Sequence, residues 1–369
     1  ALTANTDGQY NTAIGDGALK SNIGADSNVA VGHEALSANQ TGADNVAIGL
    51  SAGDANTSGK RNVYVGINAG GSGNGDENCI VGRRAGQNQT ASYITAVGTE
   101  ALQNNTGTKN TAVGMQCLMA NTSGTENTAM GYLALTANTD GSYNTAMGYQ
   151  ALDTLNGGDR NVAVGREACR DQASGDNNTG IGTEALKLNS SGFENVAVGS
   201  YCLNSNTGSN NTAVGTECMK LNTSGTQNAA FGKAAMITNT DGNYNTALGA
   251  YALKTLNGGD RNTAVGWQAG DNIVTGNENV VIGYSAYDDG TGSSNVVIGD
   301  QAGYNQTSGS SNVYVGQHTA YNSGTGHSNT FVGHSAGYHA GDGYRNVALG
   351  YAISIPASAN HRFAIGYNN

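Results

Sequence analysis

The stretch Asn110-Thr111-Ala112-Val113-Gly114 is one of 22 variants of a five-residue phrase that runs from Asn11 to Gly366. Successive phrase glycines, from Gly15 to Gly366, lie 17 residues apart fifteen times and 16 residues apart six times. A spacing this short and this regular predicts stacked copies of one small coil, each resting only on its neighbours. It overrides the inference of two domains that 369 residues would otherwise suggest. The expected fold is all-β, a parallel β-roll or β-solenoid of about 22 coils of 16–17 residues. One continuous repeat rod is expected over residues 1–350, with a terminal or junction coil over 351–369. The pattern loosens there at Ile353-Ser354-Ile355-Pro356, which holds the single proline.

Each coil can be read from its phrase glycine. The three residues before it form a short strand. The first is mostly Thr or Val, as at Val29, Thr128 and Val162, and the third is Val, Ile, Met, Leu or Phe. These two share a face, because side chains alternate along a strand. That face is assigned to the coil interior. The middle residue, mostly Ala (Ala13, Ala30, Ala112, Ala146), then points outward. A solvated strand face would be polar, so an outward alanine column predicts a seam against another copy of the chain.

The invariant glycine needs positive φ or a backbone approach that a Cβ would block. An apolar pair such as Ala101-Leu102 or Ala185-Leu186 follows, then a polar turn with a second glycine. Each coil therefore reads as two short strands joined by two glycine turns. The residue shed by some shorter coils lies just before the second glycine, at Gly107, Gly208 and Gly292, where turns tolerate length changes. Asn precedes the strand in 20 of 22 phrases, Ile94 and Arg362 being the exceptions. A partial second column runs through Asn22, Asn39, Asn56, Asn121, Asn138, Asn189, Asn222 and Asn239. Both predict side-chain ladders up the axis. Residues 110–165 repeat as 211–266, an offset of six coils, as suits a spacer.

Glycine is 57 of 369 residues and charged residues are only 12%, with a net charge of −11 spread along the chain. An acidic chain without a basic stripe is not expected to bind nucleic acid, and no apolar run is long enough for membrane insertion. The five cysteines replace small residues of the repeat and read as buried thiols. Cys202 and Cys218 take the same place in successive coils, which leaves a disulfide open. Asp159 and Asp260 sit in Gly-Gly-Asp-Arg turns and read as residues that cap backbone N–H groups. His318, His327, His334 and His339 fall in different columns and read as exposed polar residues. No cofactor, metal ion or enzymatic activity is expected. Ice binding needs a flat threonine face, and the inward assignment of the threonine column argues against it.

Two columns carry aromatic runs. Five places after the glycine, Tyr304, Tyr321 and Tyr338 succeed one another, where other coils hold Lys20, Ser37 or Gln87. One place after it, Trp267 and Tyr284 do the same, as do Tyr132 and Tyr149. Stacked and exposed, such ladders either present a flat face to a sugar or a partner protein, or stabilise the surface. Tyr304, Tyr321, Tyr338, Trp267 and Tyr284 are the candidate binding residues.

The repeat over 110–127, with its Asn-Thr-Ala-Val-Gly phrase and Asn-Thr-x-Gly turn, resembles two related groups. One is the YadA-like head of trimeric autotransporter adhesins; the other is the repeat shaft of phage and prophage tail-fibre proteins. The 17-residue period and the Ala-Leu pair are closer to the second. The resemblance covers nearly the whole chain. It implies a left-handed β-roll, a homotrimer and a role in attachment. The expected function is a structural fibre or spacer of a virion appendage, contacting a host cell-surface glycan or protein and other fibre or virion proteins. The alternative is a bacterial cell-surface adhesin or extracellular filament subunit. The chain starts in mid-repeat, as a fragment or processed product would. The two termini, Ala1-Leu2 and Gly366-Tyr367-Asn368-Asn369, nearly complete one phrase when joined, which allows end-to-end stacking.

Overall fold

The computed structural model describes residues 1–368 and contains no helix among them. It is an all-β parallel solenoid of 22 strands. Two compact units divide the chain, Ala1–Asn178 and Thr179–Asn369. The first contains ten three-residue strands, from β1 (Thr12–Ile14) to β10 (Val162–Val164). The second runs from β11 (Thr179–Ile181) to β22 (Phe363–Tyr367). Its last two strands, β21 (Val347–Tyr351) and β22, lengthen to five residues. Neighbouring strands pair without slippage, as in Thr12↔Val29, Ala13↔Ala30 and Ile14↔Val31. Asn369, which ends the expected junction coil and its join to Ala1, lies outside the described residues.

The strand faces are the reverse of the sequence expectation. The middle residue points into the coil: Ala30, Ala47, Ala112, Ala146 and Ala230 are fully buried. The first and third residues face out, and Ile48, Met130, Phe231 and Leu248 are exposed. The alanine column therefore cannot be an intermolecular seam, and the threonine column is not interior. The second strand expected in each coil is also absent. The Ala-Leu segment is a tight turn that alternates left-handed residues, such as Glu34 (φ 57°) and Leu36 (φ 48°). It still bonds between coils, Leu36 N–H donating to Ala52 O at 3.0 Å.

The thinness of the coil explains the reversal. The strand and the Ala-Leu wall face each other across a gap that holds one leucine per coil. Alanine on the strand leaves that space. At three strands that contribute a large residue the leucine place is glycine: Tyr64 faces Gly70, Ile80 faces Gly86, and Phe331 faces Gly337. A Cβ on Gly337 would lie 2.4 Å from the Phe331 ring. In these coils the large strand residue fills the space left by the missing leucine, as close packing demands.

The phrase glycine meets both conditions inferred for it. Gly114 has φ +141°, and a Cβ there would lie 2.3 Å from Gly131 O in the next coil.

Both asparagine columns are buried, and both bond backbone as well as neighbouring amides, as Asn62 Nδ2 does to Asn45 Oδ1 at 3.1 Å and Asn138 Nδ2 to Gly141 O at 2.9 Å. In the strand-entry column the side chains serve the backbone. Asn45 N–H donates to Asn28 Oδ1 at 3.0 Å, and Asn45 Nδ2 donates to Gly59 O at 2.8 Å. In the second column amide bonds amide: Asn138 Nδ2 donates to Asn121 Oδ1 at 2.8 Å, and Asn239 Nδ2 to Asn222 Oδ1 at 2.7 Å. Leu155 and Leu256 interrupt that column, and Asn138 Oδ1 and Asn239 Oδ1 are left buried without partners. Asp159 and Asp260 accept the N–H of Ser142 and Asn243 one coil away, at 2.8 and 2.7 Å, as turn residues should. All five cysteines are free; Cys79 is exposed and the other four are buried. No disulfide joins Cys202 to Cys218.

Candidate functional site

Because the coils stack in register, a residue type repeated at one place becomes a ladder. Trp267 and Tyr284 stack with ring centroids 4.8 Å apart and planes 14° apart. Both are exposed and stand two residues beyond the outward Val265 and Ile282. This pair therefore borders the apolar strand face. In the first unit, Tyr132 and Tyr149 stack at 5.6 Å in the same relation to Met130 and Met147.

Tyr304, Tyr321 and Tyr338 form a separate ladder on the turn wall. Successive centroids are 5.1 Å apart, with interplanar angles of 12° and 3°. These rings are half-buried. Among the described residues no ring contact joins this ladder to the Trp267–Tyr284 pair. Stacking turns the ring faces toward one another along the axis. What reaches solvent is mainly ring edge and phenol hydroxyl. The flat aromatic face anticipated from sequence is largely taken up by the neighbouring rings.

Three of the four histidines join the aromatic ladders here, whereas His327 stacks on Tyr344. His318 lies edge-on to Tyr321 at 5.7 Å and to Tyr338 at 6.4 Å. It also contacts His334 at 6.0 Å, and its Nε2 is 3.1 Å from Gln301 Oε1. His334 opens a second ladder, stacking on Tyr351, which stacks on Tyr367, at 5.1 and 5.0 Å. His339 packs edge-on to Tyr338 at 4.6 Å, and its Nδ1 is 3.2 Å from Asn322 Nδ2. The missed signal was that places two and five after the glycine, distant in the strand sense, adjoin across the left-handed turn.

A line of charges leads up to the tyrosines in the same column: Lys254, Asp271, Asp288, then Tyr304. Lys254 Nζ is 3.6 Å from the buried Asp271 Oδ1. Burial, then the charges of Asp271 and Asp289, pushes Asp288 up to about 6. The Tyr304 hydroxyl is raised in turn, chiefly by Asp288. Among the described residues no group of three or more His, Cys, Asp or Glu is arranged to hold a metal ion. A small polar notch in the first unit, about 220 Å³, is lined by Asp54, Asn68, Gly71, Ser72, Gln87 and Asn88.

No protein-family model matches the sequence, and no curated protein does.

Proposed function

We propose that this chain is a structural fibre or spacer of a phage tail or capsid appendage that takes part in host-surface attachment. In this reading it is left-handed and homotrimeric, with no enzymatic role. The observation that carries it is the outward apolar column. Third-place strand residues such as Ile48, Met130, Met147, Phe231, Leu248 and Ile282 are solvent-facing in each unit. Monomeric proteins rarely leave a contiguous apolar strip of this kind uncovered. A second and third copy are its natural cover, so the seam runs along the Ile/Val/Met column and not along alanine. Long unit duplication and near-invariant register favour a spacer over a catalyst.

The outward threonines reopen the question of ice binding. Their partner column argues against it, because its side chains vary from Val113 to Phe231 and protrude unequally. A bacterial surface adhesin of the same build is the other reading consistent with an attachment role. Sedimentation equilibrium of the purified chain at micromolar concentration tests the assembly, and binding of labelled chain to intact cells tests attachment. A monomer that ignores cell surfaces would sink the proposal.

A further inference from the structure

The chain is not uniformly acidic. Residues 300–369 contain two acids, Asp300 and Asp342, two bases, Arg345 and Arg362, and five of the six histidines. The entire formal charge of −11 is therefore carried by residues 1–299. The tyrosine–imidazole surface lies within the neutral segment. Its few carboxylates are engaged: Asp342 accepts the N–H and hydroxyl of Thr325 at 3.0 and 2.9 Å, and Asp300 accepts from Gln317 Nε2 at 3.4 Å.

Ring edges carry the positive side of the aromatic quadrupole, and faces the negative side. A ladder whose faces cover one another and whose edges point outward is electropositive at its rim. Phenol hydroxyls add donors. The ring nitrogens of His318, His334 and His339 add further polar groups beside the hydroxyls. Around His318 the facing groups are Gln301, Tyr321, Tyr338 and His334, with Asp300 one residue before Gln301; around His339 they are Tyr338 and Asn322. None of the groups in contact with either ring is a carboxylate.

From this geometry we infer that the surface formed by Tyr321, Tyr338, His318 and His339 binds an acidic polysaccharide lying along the stack. The inference rests on the attachment reading and names the ligand class for it. Asp288 and Asp289, one coil before Tyr304, repel such a ligand and set the N-terminal limit of the footprint.

The test uses the full chain with sodium alginate as the acidic probe and dextran as the neutral one. Expected are alginate binding that weakens with salt, and no comparable dextran binding. Substitutions can copy residues that other coils already hold at the same places. Tyr321→Gln and Tyr338→Gln copy Gln87 and Gln103, His318→Gln copies Gln301, and His339→Asn copies Asn322. The combined variant should keep its melting temperature and lose about tenfold in alginate affinity. Asp288→Asn with Asp289→Asn should bind alginate several-fold more tightly. Equal binding of the two polymers, or a combined variant with unchanged affinity, overturns the inference. Cell binding without alginate binding overturns it and leaves the attachment reading standing; alginate binding without cell binding does the opposite.

Discussion

The Tyr64 ring lies between two glycines that stand where other coils hold leucine: a Cβ on Gly70 would lie 2.2 Å from Tyr64 Cδ1, and one on Gly53 2.6 Å from Cδ2. The ring is fully buried, and its hydroxyl has no hydrogen-bond partner. Burial accordingly raises the pKa of that hydroxyl.

This pairing predicts strong coupling. Tyr64→Ala should cost about 3 kcal/mol through the cavity it leaves. Gly70→Leu alone should also destabilise, by overpacking. Together they recreate the ordinary Ala/Leu coil, and left-handed leucine is already usual there, as at Leu36. The double variant should therefore recover part of the loss, the space over Gly53 staying unfilled, measured as a double-mutant cycle in denaturant. Additive losses would refute the shared-volume account. Tyr64→Phe should be neutral or stabilising, since it removes an unsatisfied polar atom.

The second asparagine ladder predicts a difference between its middle and its end. Asn121 donates to Asn105 Oδ1 at 2.5 Å and to Gly124 O at 2.9 Å, and accepts from Asn138. Asn138 ends the run, with its Oδ1 already unpaired beneath Leu155. Asn121→Leu should cost about 1 kcal/mol more than Asn138→Leu, because it breaks two ladder bonds where Asn138→Leu breaks one. Thermal melts of the two variants decide this, and equal melting temperatures would count against the ladder account.

The outward column predicts separation of folding from assembly. Met130→Lys with Met147→Lys changes two exposed side chains and no interior one. The β-rich circular dichroism spectrum should persist while the sedimenting mass falls toward that of one chain. Unchanged mass would place the seam elsewhere.

Asp288 predicts a pH effect with a definite sign. Its folded pKa, about 6, is above the ordinary 3.8. The folded state therefore binds more protons than the unfolded state between these values, and stability falls as pH rises through that window. Asp288→Asn should flatten the change between pH 4 and 6 and stabilise the chain at pH 7, by about 1 kcal/mol at most after solvent screening. A melting temperature at pH 7 equal to or below that of the unsubstituted chain would contradict this.

Much of the candidate site was legible because in-register stacking turns sequence columns into spatial ladders. The Tyr304–Tyr321–Tyr338 and Trp267–Tyr284 stacks follow directly from spacing. The role of His318 did not, because it depends on which columns meet across a turn. That turn alternates left-handed residues, and no strand or helix period describes it.

Sequence alone determined the period, the register, the parallel pairing and the need for glycine at each phrase end, since one residue type repeated at one spacing admits few other solutions. Alternation shows that Thr111 and Val113 share a face and that Ala112 opposes them. It is symmetric about which face is inside. Only the folded coil decided that, because the Leu118 wall packs close against the strand and leaves room for a methyl group there but not for a second large side chain.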